Sequence, residues 1–254
     1  MTTRYSSLVS TIHSGGLAIL DSGVSTELEK RGQKMDEEAW SARVAIDSFD
    51  ILVSTHQAYI DAGADVITVN SYASSRLVLD PAGLSSKVRS INMKNIEAAQ
   101  LARERCGNDA VLIAGSISHA LSFATKQEQS AEACIAAFDE MVSFFEEGEV
   151  DLILLEMMSI PTRMLPLFRS ASSSTLPVWC GLSAKRATPN ALITGHHDET
   201  ISLASNIQEA SNFKFDAMGI MHTSVDLISD AIDLVKTRHS GALMAYPDSG
   251  YFKS

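Results

Sequence analysis

Asp21 and Glu156 each end an apolar, strand-forming run, Leu17-Ala-Ile-Leu before the first and Leu152-Ile-Leu-Leu before the second. A carboxylate placed there must be solvated, paired or bound to a cationic ligand, because burying an uncompensated charge is very costly. Two such acids at one place could hold an amino group or work as acid and base; they could also cap the following helices or bridge to Lys or Arg. His222 ends a third run, Ala217-Met-Gly-Ile-Met, and histidine is the side chain that changes charge near neutral pH. It reads either as a proton-transfer group or as a structural side chain. Asn70, Ser71 and Tyr72 follow Val66-Ile-Thr-Val, and Ser116 follows Val111-Leu-Ile-Ala-Gly. These could orient a ligand by hydrogen bonds or simply cap loops. His196-His197 after Gly195 reads as a solvated pair or as ligands, and Cys180 as core. No G-x-G-x-x-G, Walker loop or Ser-His-Asp nucleophile motif is present.

Apolar runs that stop at polar residues need strands to deliver them, and the sequence predicts seven, at 17–21, 65–70, 111–116, 151–156, 177–182, 215–220 and 241–246. Helical spacing of apolar residues predicts helices over 26–31, 51–60, 87–106, 130–147, 161–172 and 225–236. Ser130 is placed to cap the fourth, and Gly107-Asn108 ends the third. The stretch 74–86, with Asp80-Pro81, reads as a loop. Strands alternating with helices imply parallel pairing, since parallel strands need crossovers. Polar residues gathered at strand C-terminal ends imply the active face of a (β/α)8 barrel. With seven strands counted, the barrel is incomplete at its C-terminus, closed by Asn190-Ala-Leu-Ile-Thr194, or completed by another chain. An open edge would favour self-association into a homo-oligomer.

The 254 residues are 45% hydrophobic and predict one domain spanning 1–254. A net charge of −11 from scattered acids disfavours nucleic acid as a partner. Three widely spaced cysteines suit neither a disulfide framework nor a local thiolate site. They fit a reducing, cytoplasmic location. No eighteen apolar residues run together, so no membrane partner is expected.

Taken together, these motifs resemble the homocysteine S-methyltransferase family through nearly the whole chain. Asp21-Ser-Gly-Val-Ser-Thr-Glu-Leu-Glu29 is similar to the family's D-G-G-x-G-T-E-L-E, and Ala62-Gly-Ala-Asp-Val-Ile-Thr-Val-Asn-Ser-Tyr72 to A-G-A-D-I-I-x-T-N-T-Y. Asp151-Leu-Ile-Leu-Leu-Glu156 resembles D-L-L-L-x-E, Gly219-Ile-Met-His222 aligns with G-x-N-C, and Tyr246-Pro-Asp-Ser-Gly250 with Y-P-N-S-G. The resemblance implies a (β/α)8 barrel that moves a methyl group from a sulfonium or quaternary ammonium donor to the thiol of homocysteine or a similar small thiol. It implies that Asp21 and Glu156 hold the amino acid part. Ser22, Gly23, Thr26, Glu27, Asn70, Ser71, Tyr72 and Ser116 are expected to line the same site.

In the family three cysteines bind zinc. Here His222 stands where one of them is expected and is the only residue at a ligand position, while the G-G-C-C segment carrying the other two would fall beyond Ser254. Zinc held in the family's way is therefore not expected, and no other cofactor is assigned. A thiol with pKa near 8.5 is about a few per cent ionised at neutral pH. Were His222 its base at about 6.5, the mismatch would cost roughly 2.7 kcal/mol, about a hundredfold. That cost is compatible with catalysis. The alternative is a non-catalytic member of the family that binds a small amino acid or thiol.

Overall fold

A computed structural model describes residues 2–121 and 128–248, so Ser249 and Gly250 of the last motif lie outside the described residues. Helix α1 (Thr3–His13) comes first, and α2 (Val24–Lys30), α3 (Val44–Asp47) and α4 (Phe49–Asp61) lead to strand β1 (Val66–Thr68). α5 (Arg76–Leu79) and α6 (Val88–Cys106) precede β2 (Leu112–Ser118), α7 (Ala131–Glu147) precedes β3 (Leu152–Met158), and α8 (Pro161–Ser172) precedes β4 (Val178–Leu182). A short hairpin, β5 (Ala184–Lys185) and β6 (Thr194–Gly195), is followed by α9 (Leu203–Ala210), β7 (Ala217–Met221), α10 (Val225–Lys236) and β8 (Ala242–Tyr246). The main sheet runs β1-β2-β3-β4-β7-β8, every pair parallel. This is an α/β fold with a curled parallel sheet, an incomplete (β/α) barrel.

Side chains alternate across each strand, and the alternation divides the core in two. Leu112 and Ala114 of β2, Leu152 and Leu154 of β3, Trp179 of β4 and Met221 of β7 pack together on the concave side. Ile113, Ile153, Leu155 and Cys180 face the helices instead. Continuing the same parity, Ser116 and Glu156 fall on the concave side one layer higher, at the strands' C-terminal ends. Met221 also explains Gly181, because a Cβ there would lie 2.5 Å from the Met221 sulfur. The expected caps are present: the Ser130 hydroxyl accepts from Ala133 N, worth about 1 kcal/mol. Gly107 ends α6 in the left-handed region at φ 60.

The sequence reading differs from the structure in several places. The run 17–21 is not a strand: Leu20 makes only a single parallel bridge to Val66. It pairs on one side alone, through Asp21 N to Val66 O at 2.9 Å and Asp65 N to Ile19 O at 2.8 Å. On its other side a cleft of about 560 Å³ separates it from β8. Asn190–Thr194 does not close the barrel, since Thr194 pairs antiparallel with Lys185 in the outlying hairpin. The stretch 74–86 contains α5, and α1 and α9 were not foreseen.

Helix α1 packs against the barrel floor. Arg4, Thr2 and Arg103 donate to the buried Asp151 carboxylate at 2.9–3.1 Å, and Ile113 N donates at 3.0 Å. Tyr5, 1% exposed, accepts from the Trp179 indole N–H at 3.0 Å. No described helix is long and apolar enough to cross a membrane.

Candidate functional site

The strand C-terminal ends open into a cavity of about 250 Å³. Its walls include Ser22, Gly23 and Thr26 at the start of α2, Thr68 and Asn70 from β1 and its following loop, and Tyr72, Glu156 and His222. The sequence therefore brought most of the expected residues to one place. Glu156 is buried, and the Ser116 hydroxyl donates to its Oε1 in a short hydrogen bond. That leaves Oε2 turned toward His222. A register shift in β3 between Leu155 and Met158, with Met157 at φ 60, bends the strand at this point.

His222 sits at φ 45, a left-handed conformation that costs a non-glycine residue about 1 kcal/mol or more and is typical of functional sites. Its Nε2 lies 3.8 Å from Glu156 Oε2 and its Nδ1 3.4 Å from Asp248 Oδ1. Burial alone would depress the imidazole pKa, but the two carboxylates outweigh it and hold it above the ordinary value. Tyr246 packs its ring 5.5 Å from the imidazole, and burial raises its phenol pKa.

Some expected residues support the cavity without lining it. Both oxygens of Asp21 are taken by Thr68, from the backbone N–H at 2.7 Å and the hydroxyl at 2.6 Å. Burial nevertheless pushes the Asp21 pKa up to about 7, since it outweighs those bonds and the Glu156 charge adds to it. Ser71 donates to Ser116 O at 2.8 Å and so braces the residue that holds Glu156. Asn70, which does line the cavity, is fixed there by Ser41, accepting from its hydroxyl at 2.7 Å and donating to its carbonyl at 3.0 Å. Glu27 points outward and pairs with Arg31 at 2.9 Å and Lys30 at 3.8 Å. It is not part of the cavity wall.

Trp40, Met157, Tyr246 and Asp248 were missed. Trp40, at φ 49, reaches the cavity from a loop that no periodicity marks. Asp248 had a signal, the aspartate standing where the resembling motif has asparagine. His196 and His197 do not face one ligand: His197 Nδ1 lies 2.9 Å from the Ser159 hydroxyl, and His196 lines a separate outer cavity.

The zinc that the resemblance implies does not fit the described residues. Cys106, Cys134 and Cys180 lie on α6, α7 and within β4, and among the described residues no group of three or more His, Cys, Asp and Glu is arranged to hold a metal. Glu156 and Asp248 flank opposite nitrogens of His222, so their oxygens and one imidazole nitrogen do not converge on a single point.

The family model described as homocysteine S-methyltransferase matches residues 18–254. Homocysteine S-methyltransferase 2 of Arabidopsis thaliana is 26% identical, over 93% of this chain and 77% of that protein. Selenocysteine Se-methyltransferase of Brassica oleracea var. italica is also 26% identical, over 93% and 74%. Among solved structures, the metallated form of the homocysteine methyltransferase MmuM from Escherichia coli is similar with a TM-score of 0.78. It is 21% identical and covers 95% of this chain and 87% of that one, a likeness of fold.

Proposed function

Because the chain belongs to the homocysteine S-methyltransferase family, we propose that the mouth cavity transfers a methyl group from a sulfonium or quaternary ammonium donor to the thiol of homocysteine or a similar small amino acid. The observation that carries this reading is the pairing of Glu156 and His222 across the cavity. Ser116 occupies Glu156 Oε1, so Oε2, which faces His222 at 3.8 Å, is the oxygen that receives the acceptor's ammonium. Asp21 contributes by fixing Thr68 on the cavity wall.

Chemically, the acceptor thiol gives its proton to His222 Nε2, and the thiolate sulfur attacks the methyl carbon in line. The methyl–donor bond breaks with its electron pair passing to the donor sulfur or nitrogen. Two carboxylates beside His222 raise its proton affinity and so narrow the mismatch with the thiol, which would otherwise cost roughly 2.7 kcal/mol. They also stabilise the imidazolium that forms. The half-exposed Trp40 ring and Tyr72 give the donor a partly apolar, aromatic approach.

The test is mass-spectrometric detection of methylated product from homocysteine with S-methylmethionine, S-adenosylmethionine or betaine. Glu156→Gln should raise the acceptor KM about tenfold or more, and His222→Ala should lower kcat by about a hundredfold. Unchanged kinetics in both variants would overturn the assignment. Homocysteine binding with no turnover under any donor would favour the non-catalytic reading.

A further inference from the structure

We infer that Lys185, Arg186 and Asp226 are specificity-determining residues that hold the methyl donor by its far end, in the outer cavity beyond His222. They select a donor whose head carries both a carboxylate and an ammonium over one with a carboxylate alone. The inference rests on the methyl-transfer reading above and deepens it. The outer cavity, of about 390 Å³, draws its cations and its carboxylates from different elements. Lys185 of β5 and Arg186 after it come from the hairpin, while Asp226 in the first turn of α10 and Asp248 after β8 come from the end of the main sheet. An amino-acid head leaves water at low cost only where both of its charges find partners, and this cavity offers both kinds. A betaine brings no ammonium hydrogen and can use the cations only.

Both cations keep capacity for a ligand. Lys185 Nζ lies 2.6 Å from Glu199 and Arg186 Nη2 donates to Asp230 at 2.7 Å, and both acids are exposed, so these pairs are weak and exchange readily. Arg186 Nε is buried and has no hydrogen-bond partner among the described residues; a buried donor left unpaired is stabilised by any acceptor brought to it. The surrounding charge adds a second line of argument. Asp226, Asp248, Glu199 and Asp230 outnumber Lys185 and Arg186, an excess of negative charge that suits an amino-acid sulfonium, a net cation, over a betaine, which is net neutral. The hairpin is fixed to the end of the main sheet, since Ala184 N donates to the Thr223 hydroxyl at 3.0 Å. The outer cavity adjoins the inner one, because His222 is a wall of both. A donor with its head in the outer cavity therefore needs only a short dimethylene arm to bring its sulfonium beside the acceptor.

The experiment is isothermal titration of wild type, Arg186→Gln and Asp226→Lys with S-methylmethionine, with dimethylsulfoniopropionate and with homocysteine. Dimethylsulfoniopropionate has the same sulfonium, arm and carboxylate as S-methylmethionine but no ammonium. Wild type should bind S-methylmethionine about tenfold more tightly or better than it binds dimethylsulfoniopropionate. Arg186→Gln should weaken both sulfonium ligands about tenfold. Asp226→Lys should weaken S-methylmethionine about tenfold and leave dimethylsulfoniopropionate bound as tightly as in wild type, or more tightly. Homocysteine affinity should stay within about twofold in both variants, which also shows that they are folded. No preference for S-methylmethionine in wild type, equal losses with both sulfonium ligands in Asp226→Lys, or no loss in Arg186→Gln would each overturn the inference. So would loss of homocysteine binding in either variant, which would place the acceptor in this cavity. Methyl transfer is read separately by mass spectrometry. The expected binding pattern without methylated product from any donor would overturn the methyl-transfer reading and leave the outer amino-acid site standing.

Discussion

His56 is fully buried in α4, and neither of its ring nitrogens has a hydrogen-bond partner among the described residues. Burial therefore favours the neutral ring and lowers its pKa from 6.5 to about 4. In the unfolded chain the same group protonates below about 6.5. Between these values the unfolded state binds the extra proton, so His56 withdraws stability as pH falls from about 6.5 to about 4 and withdraws no more below that. From pH 7 to pH 5 the loss amounts to about 2 kcal/mol. Asp21 works in the opposite sense. Its folded pKa of about 7 lies above the unfolded value near 3.9, so its contribution is full in acid and is lost as pH rises to 7. Comparing a His56 variant with wild type isolates the first effect. His56→Leu should unfold in urea at pH 7 no more easily than wild type, and should lose about 2 kcal/mol less than wild type on going to pH 5. Equal losses in both proteins would place the acid sensitivity elsewhere.

Helix α1 is held to the rest of the molecule by few but buried polar contacts, and these make its contribution measurable. Tyr5 gives its hydroxyl oxygen to the Trp179 indole N–H, and both side chains are almost wholly buried. Tyr5→Phe leaves that N–H unpaired in an apolar layer, which should cost about 1–3 kcal/mol. Urea unfolding followed by tryptophan fluorescence would read both the loss and the changed surroundings of Trp179. This helix also marks the limit of what the sequence disclosed. Strands β1 to β4, β7 and β8 were legible because each is a short apolar run bounded by breakers, whereas the two-residue strands β5 and β6 carry no such run; Glu156 was legible because a charge closes one. The inward direction of Glu156 follows from simple alternation along β3. By contrast, α1 has hydroxyl residues spread through it and its anchor is a tyrosine, so periodicity did not expose it. The run 17–21 has the composition of a strand, but a strand needs neighbours, and it has a pairing partner only at β1. Asp21 looked like a ligand-binding acid for the same reason as Glu156. Only the fold reveals that Thr68 already occupies both its oxygens.

At the scale of the whole molecule, the feature with most consequence is the cleft between 17–21 and β8. Among the described residues the outer edge of β8 makes no strand pairing, and parallel strand edges left open are templates for association. Apolar side chains surround this cleft: Leu17 is 87% exposed, Ile19 58% and Leu243 43%. Clustered apolar exposure of this kind favours contact with another surface. The net charge of −11 works against it, since like-charged molecules repel over about 8–10 Å at moderate salt. The balance gives a prediction with a sign. Self-association should be weak at low ionic strength and should strengthen as salt screens the repulsion, because burial of leucine surface does not depend on counterions. Sedimentation velocity across a range of protein and salt concentrations would measure it. Leu17→Lys with Leu243→Lys should abolish the association, since each lysine removes apolar surface and must keep its charge solvated. It should leave the mouth cavity unaltered, as neither residue lines it. A wild-type protein that stays monomeric at every salt and protein concentration would mean that the edge does not adhere to a second copy. Association that survives both lysines would locate the interface elsewhere on the molecule.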